Sequence, residues 1–159
     1  MTTSEAGPLA AGTTVPGFTL RREDGSEFTR DDLLGHTTVL VFYPFAFSRV
    51  CTDQLNLYEE VLDDLKAKGA TLYGVSCDAP YAQSAFREKL GVSIEQLSDF
   101  EPKGAACRAF GTYHPGGFPQ RALVIVGPDG VVKWSYQAPS PVELPGANLI
   151  FDGLAAAEA

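Results

Sequence analysis

Residues 38–55 read TVLVFYPFAFSRVCTDQL, and the reading of this stretch decides the fold. Thr38 to Tyr43 is an unbroken β-branched, apolar and aromatic run, the pattern of a strand buried on both faces. Pro44 ends it, because proline has no N–H to give to a sheet ladder. Beyond it Leu55, Tyr58, Leu62 and Leu65 recur at helical spacing, and Gly69 stands where a C-terminal capping glycine belongs. Cys51 therefore falls at or just inside the N-terminus of a helix that follows a buried strand. Amides without intrahelical partners and the positive end of the helix dipole favour a thiolate at such a place. By position alone Cys51 is either that reactive thiol or a small packed residue, since free cysteine is among the most buried residue types.

The pattern extends in both directions. Thr71 to Ser76 (TLYGVS) reads as a second short strand, with Asp78 and Pro80 as cap and first-turn residue of a helix through Leu90 that Gly91 ends. A third helix fits from Pro102 to near Gly111. Ala122 to Val126 and Val131 to Tyr136 are two more strands, joined by Gly127-Pro128-Asp129-Gly130. That turn suits a type I geometry with a left-handed glycine, so the two strands are antiparallel neighbours. A last helix fits Asn148 to Ala157. Upstream, Phe18 to Leu20 and Glu27 to Thr29 flank Asp24-Gly25, which predicts a short hairpin. Residues 1–14, rich in Thr, Ala and Gly, read as a frayed lead-in, with about 1–8 its flexible part. No repeat or linker interrupts the rest, so 1–159 reads as a single domain. This order describes an α/β protein of thioredoxin-like fold, a mixed central β-sheet flanked by helices.

Composition narrows the function. The 159 residues include 12 Lys and Arg against 20 Asp and Glu, a net charge of −8. That balance provides no basic footprint for nucleic acid and disfavours an anionic membrane surface. The three cysteines, Cys51, Cys77 and Cys107, are odd in number and widely spaced. They argue against a secreted disulfide framework and for a reducing, cytoplasmic setting. Met1 to Gly12 lacks Lys and Arg and carries Glu5, unlike the start of a signal peptide. The longest apolar stretch, Val39 to Phe47, is broken by Pro44 and falls short of the roughly 20 residues that span a bilayer. No two Cys or His residues have metal-ligand spacing, and Gly111, Gly116 and Gly117 match neither a P-loop nor a dinucleotide fingerprint.

Residues 44–51, PFAFSRVC, match P-x-x-x-(T/S)-x-x-C, which resembles the active-site motif of the peroxiredoxins. The stretch FYPFAFSRVCTDQL is similar to the one-cysteine AhpE-type members and the related bacterioferritin-comigratory (PrxQ) group. GVSCDAPYAQSAFREKLGV (74–92), LSDFEPKGAACRAFGTY (97–113) and RALVIVGPDGVVKW (121–134) resemble successive segments of the same family, in its order. The resemblance spans roughly residues 9 to 155.

It implies a thiol-dependent peroxidase acting on hydrogen peroxide and organic hydroperoxides, without a cofactor or metal. Cys51 would be the nucleophile that becomes a sulfenic acid. Pro44 would shield the pocket, besides ending the strand. Ser48 would hydrogen-bond the sulfur or a peroxide oxygen, or else serve as a helix N-cap. Arg121, which on its own would read as a solvated surface charge, would stabilise the thiolate and polarise the peroxide. The backbone N–H groups of Val50 and Cys51 would complete the donor set. Ser48 stands where threonine is commoner, and Gln54 where many relatives carry glutamate, so the network around the arginine is expected to differ. His114, in the loop before Arg121, reads as structural or solvent-facing, and His36 as a surface residue.

The usual resolving positions of the group are filled by Asn56 and, roughly, Arg87. The expectation is therefore resolution by an external thiol: thioredoxin, a glutaredoxin-like protein or a low-molecular-weight thiol. The alternatives are an internal disulfide from Cys51 to Cys107 or Cys77, a redox sensor or holdase without turnover, and a biosynthetic enzyme on the same scaffold. A C-x-x-C oxidoreductase is disfavoured because the third residue after Cys51 is Gln54. The resemblance also implies a homodimer, formed through the edge beside the active-site loops.

Overall fold

The computed structural model describes residues 7–158 of the chain. The buried run becomes β3 (Thr37–Phe42), an interior strand of a seven-stranded sheet in the order β2-β1-β5-β4-β3-β8-β9. Its partners are β4 (Ala70–Ser76), parallel, and β8 (Ala122–Val126), antiparallel. β9 (Val132–Gln137) pairs antiparallel with β8 after the predicted turn, where Gly130 takes φ +76°. The hairpin of β1 (Thr19–Arg22) and β2 (Glu27–Thr29) forms around Asp24-Gly25. It joins the sheet through β5 (Glu95–Ser98), a strand that the sequence reading does not contain. A separate two-stranded pair, β6 (Tyr113–His114) and β7 (Phe118–Pro119), is likewise an addition.

Among the described residues, a short 3-10 helix (Arg30–Leu33) and five α-helices complete the order: α1 (Arg49–Glu60), α2 (Leu62–Ala67), α3 (Pro80–Leu90), α4 (Ala105–Phe110) and α5 (Ala147–Glu158). Three expectations are corrected. The single helix expected from Cys51 to Gly69 is broken at Val61, whose φ/ψ of −109°/9° leaves the helical basin. Asp78 does not cap α3; Ala79 holds the N-cap position, and the Asp78 carboxylate accepts from Ser76 Oγ and Ala46 N at 2.8 Å each. α4 begins at Ala105 rather than Pro102, because Gly104 is left-handed (φ +76°). The Asp99 carboxylate then takes up the first amides of α4, from Ala106 N at 3.0 Å and Cys107 N at 2.7 Å.

The alternation of side chains along the central strands divides the interior into two layers. On one face Val39, Val41, Tyr43, Leu123 and Ile125 pack with Cys51, Leu55, Tyr58, Phe86 and Ile150. On the other face Leu40, Phe42, Val124 and Val126 pack with Leu20, Phe28, Cys77, Cys107 and Phe110. The sheet thus stands between Cys51 and the other two cysteines.

The lead-in is shorter than expected. Leu9 N donates to Phe110 O at 3.0 Å, Gly12 N to Val132 O at 2.7 Å and Val15 N to Gly130 O at 2.9 Å. Residues 9–15 are therefore tied to the body, and the expectation for residues 1–6 lies outside the described residues. Among the described residues no helix is long and apolar enough to cross a membrane.

Candidate active site

The site is built where β3 stops and α1 starts. Tyr43 N still donates to Val75 O at 3.0 Å, after which the buried Pro44 turns the chain out of the sheet. Phe47 then adopts φ +70°, a left-handed backbone that costs a non-glycine residue on the order of 1 kcal/mol or more. Its ring packs 5.1 Å from Phe86, and the neighbouring Ala46 N is fixed on the Asp78 carboxylate. This compressed loop brings Ser48 to the start of α1, where its Oγ accepts from Cys51 N at 3.3 Å. Both readings of Ser48 meet here: as an acceptor it caps the helix, and its own hydroxyl hydrogen stays available to another partner. The Cys51 N–H is correspondingly taken by Ser48, so the donor role expected of it is shared with the cap. Val50 N, in the first turn, has no intrahelical acceptor.

Cys51 is fully buried, and its Sγ accepts a hydrogen bond from Arg121 Nη2 at 3.2 Å. Arg121 comes from the residue just before β8, 70 positions along the chain, and is only 2% exposed. Each of its three nitrogens donates. Nε donates to Pro141 O at 2.7 Å and Nη1 donates to Gln54 Oε1. Three acceptors at fixed angles hold the guanidinium in one orientation against the sulfur, which a lysine ammonium cannot reproduce.

Gln54 settles how the network differs. An arginine only donates, so the amide oxygen must face Arg121 and the amide nitrogen faces away. That nitrogen donates to Tyr58 Oη at 3.1 Å, and Tyr58 Oη donates to Pro145 O at 2.6 Å. A glutamate could accept from both Arg121 and Tyr58 but could not pass a proton donor onward. Gln54→Glu is therefore expected to pull Tyr58 away from Pro145 and to compete with the sulfur for the guanidinium charge. The rate of Cys51 alkylation by iodoacetamide at neutral pH should fall about 3- to 10-fold.

Burial pushes Tyr58 up to about 12 and raises Tyr43 as well, whose hydroxyl donates to Gln96 Oε1 at 2.6 Å. Both phenols stay protonated in the folded chain, whereas in the unfolded chain they titrate near 10. The folded state holds the extra protons, so stability should fall as pH rises above about 10 and continue falling towards 12. Tyr58→Phe should flatten part of that slope. At neutral pH it should cost about 1–2 kcal/mol, because Pro145 O loses its donor. Denaturant midpoints of both proteins at pH 7 and pH 11 check the two effects together.

A cavity of about 230 Å3 reaches the Arg121 that holds the sulfur, lined also by Pro44, Phe45, Ser48, Val50 and Phe118, with Arg49, Pro141 and Val142 completing its wall. Its wall is almost wholly apolar, which strengthens the field of the Arg121 guanidinium. Phe118 is backed by His114, whose ring stacks at 4.3 Å; this gives His114 the structural role expected. A larger cleft of about 460 Å3 lies between β1 and α3, but its charges pair among themselves. There Arg87 meets Glu23 at 2.9 Å and Arg22 meets Glu95 at 2.8 Å, and the hydroxyl of Ser93 is spent on Glu59 at 2.8 Å.

The fold joins Ser48, Cys51, Gln54 and Arg121 in one hydrogen-bonded network, with Pro44 and Val50 on the cavity that Ser48 and Arg121 also line. It does not bring Cys77 or Cys107 to them, since both lie in the opposite layer. Instead Cys77, Asp99 and Cys107 gather with their ligating atoms all within 4.8 Å, a proximity that sequence spacing does not reveal. Tyr58, Phe118, Pro141 and Pro145 were missed as site residues. Tyr58 alone carried a signal, a polar tip on an apolar helical stripe.

Comparison with known proteins gives a consistent set. A family model described as the AhpC/TSA family matches residues 11–135. Alkyl hydroperoxide reductase E of Mycobacterium tuberculosis is 29% identical over 150 residues, covering 93% of this chain and 97% of that protein. Peroxiredoxin Bcp of Escherichia coli is 33% identical over 111 residues, 70% of each chain. Among solved structures, Enterococcus faecalis AhpC superposes with a TM-score of 0.84 at 26% identity, over 93% of this chain and 92% of that one. Reduced Prx3 from Vibrio vulnificus, solved in complex with hydrogen peroxide, gives 0.83 at 28% identity, over 92% and 99%.

Proposed function

The chain belongs to the AhpC/TSA family of peroxiredoxins, and from that premise we propose Cys51 as its peroxidatic nucleophile, with Arg121, Ser48 and Pro44 as the rest of the centre. The protein is a thiol-dependent peroxidase. The observation that carries the assignment of the site is the Arg121 guanidinium held on a buried sulfur at 3.2 Å while it also lines an apolar cavity. A thiolate lone pair forms an S–O bond to the terminal oxygen of a hydroperoxide while the O–O bond breaks. The sulfur is oxidised to a sulfenic acid, and the leaving alkoxide or hydroxide takes a proton from water. Charge moves from sulfur to the departing oxygen, and the Arg121 fork, the Ser48 hydroxyl and Val50 N are the donors placed to follow it.

The sulfenic acid is resolved by an external thiol in this proposal. One thiol condenses with it to a mixed disulfide and water, and a second releases Cys51 and a low-molecular-weight or protein disulfide. Support comes from the sheet that separates Cys51 from Cys77 and Cys107. A cytoplasmic, thiol-reducing setting belongs to the same proposal, because every turnover consumes a free thiol reductant. Consumption of hydrogen peroxide and of an organic hydroperoxide with dithiothreitol tests it. Many turnovers per protein are expected; one equivalent consumed and then none would mean a stoichiometric sensor.

A homodimer is the second part of the proposal. Phe45, Phe47 and Phe100 are about half exposed and Tyr81 is 90% exposed, on the loops and first turn of α3 around the site. Tyr81→Glu should move the protein from dimer to monomer in sedimentation velocity at micromolar concentration, and an unchanged coefficient would remove this surface as the interface.

A further inference from the structure

Cys77 and Cys107 are unused by the chemistry at Cys51, yet the fold assembles them. Cys77 follows the last residue of β4, and Cys107 is the third residue of α4, 30 positions later. Their sulfurs and an Asp99 carboxylate oxygen lie within 4.8 Å of one another. Cys107 is fully enclosed, whereas Cys77 is 9% exposed and lines a second cavity of about 280 Å3 with Asp78, Phe100 and Lys103. We propose that Cys77 and Cys107 are a dithiol that exchanges with low-molecular-weight disulfides entering this second cavity, closing as an intrachain Cys77–Cys107 disulfide.

The chemistry balances. The Cys77 thiolate attacks one sulfur of a disulfide RSSR, forming Cys77–S–S–R and releasing RS⁻. Cys107 then gives its proton to the Asp99 carboxylate and attacks the Cys77 sulfur, releasing a second RS⁻. The two thiolates leave as RSH, one with the proton held by Asp99 and one with the proton lost by Cys77. The protein is oxidised by two electrons and the reagent reduced by two. Burial raises both Cys107 and Asp99, which keeps Cys107 a thiol until its target is present and makes Asp99 a stronger proton acceptor than a solvated carboxylate. The sulfurs must still approach to about 2.05 Å. α4 has only six residues between the left-handed Gly104 and Gly111, a short element whose glycine ends permit that shift. Neither step involves Cys51, so the inference stands apart from the proposed peroxidase site. A one-cysteine cycle would release an oxidant of the same class.

The test uses the full chain with Cys51→Ser, so that only the second pair can react. After treatment with 2-hydroxyethyl disulfide under native conditions, intact mass should show the loss of two hydrogen atoms, and peptide mapping a Cys77–Cys107 link. With Cys107→Ala added, one reagent moiety should be trapped on Cys77. With Cys77→Ala added instead, Cys107 should stay unmodified until denaturant is present, a result that serves if the first variant does not fold. The proposal is overturned if the mixed disulfide persists on Cys77 while Cys107 is intact. It is overturned equally if neither thiol reacts in the folded chain, or if Cys107 reacts without Cys77.

Discussion

Cys51→Ser is expected to lower peroxide consumption on the order of 10^4-fold or more, because an alcohol at this position offers no stable anion to attack the O–O bond. The fold should survive. Serine is nearly isosteric with cysteine, and its hydroxyl can take the hydrogen bond that Arg121 Nη2 gives to the sulfur. The far-UV spectrum and denaturant midpoint should therefore stay close to those of the parent, while turnover with dithiothreitol disappears. A variant that kept more than about one part in a hundred of the activity would move the nucleophile elsewhere.

Arg121→Ala is expected to slow oxidation of Cys51 about 100- to 1,000-fold, the range seen when one preorganised donor to a developing charge is removed. Two effects combine. The sulfur loses the only cation among its described hydrogen-bond partners, and the cavity loses the donor that follows charge onto the departing oxygen. The same truncation leaves Gln54 Oε1 and Pro141 O without their donor, which should cost a further few kcal/mol of stability. Arg121→Lys separates the contributions. An ammonium restores the charge but cannot reach three acceptors in one plane, so it should recover stability better than rate. Stopped-flow oxidation followed by tryptophan fluorescence or by competition for peroxide measures the step directly. Equal oxidation rates in parent and alanine variant would contradict the assignment of Arg121.

Much of this was legible in TVLVFYPFAFSRVCTDQL. A strand buried on both faces leaves a continuous apolar signature, and a proline followed by a serine three residues before the cysteine marks the end of one element and the cap of the next. Strand β5 left no such mark. Its residues Glu95, Gln96, Leu97 and Ser98 include no β-branched or aromatic side chain, and they pair because β4 and β1 enclose them. Gln96 is buried there only because Tyr43 and the Ile94 carbonyl satisfy its amide. The site divides in the same way. Cys51, Ser48, Gln54 and Arg121 carry their chemistry in their side chains and stood at readable spacings. Pro141 and Pro145 act through backbone carbonyls in an irregular loop, which no sequence pattern reports. Tyr58 fits the apolar stripe of its helix, so only its polar tip set it apart from core. The meeting of Cys77 with Cys107 depends on where β4 and α4 are placed and emerges only from the fold.

The most direct test of Cys51 as a peroxidatic thiol resolved from outside is to oxidise the reduced protein with one equivalent of hydrogen peroxide, without added thiol and with dimedone present. Mass spectrometry with peptide mapping should find the dimedone adduct of a sulfenic acid on Cys51 and no disulfide joining Cys51 to Cys77 or Cys107. An unmodified Cys51, or a Cys51 linked to either of the other two, would contradict it.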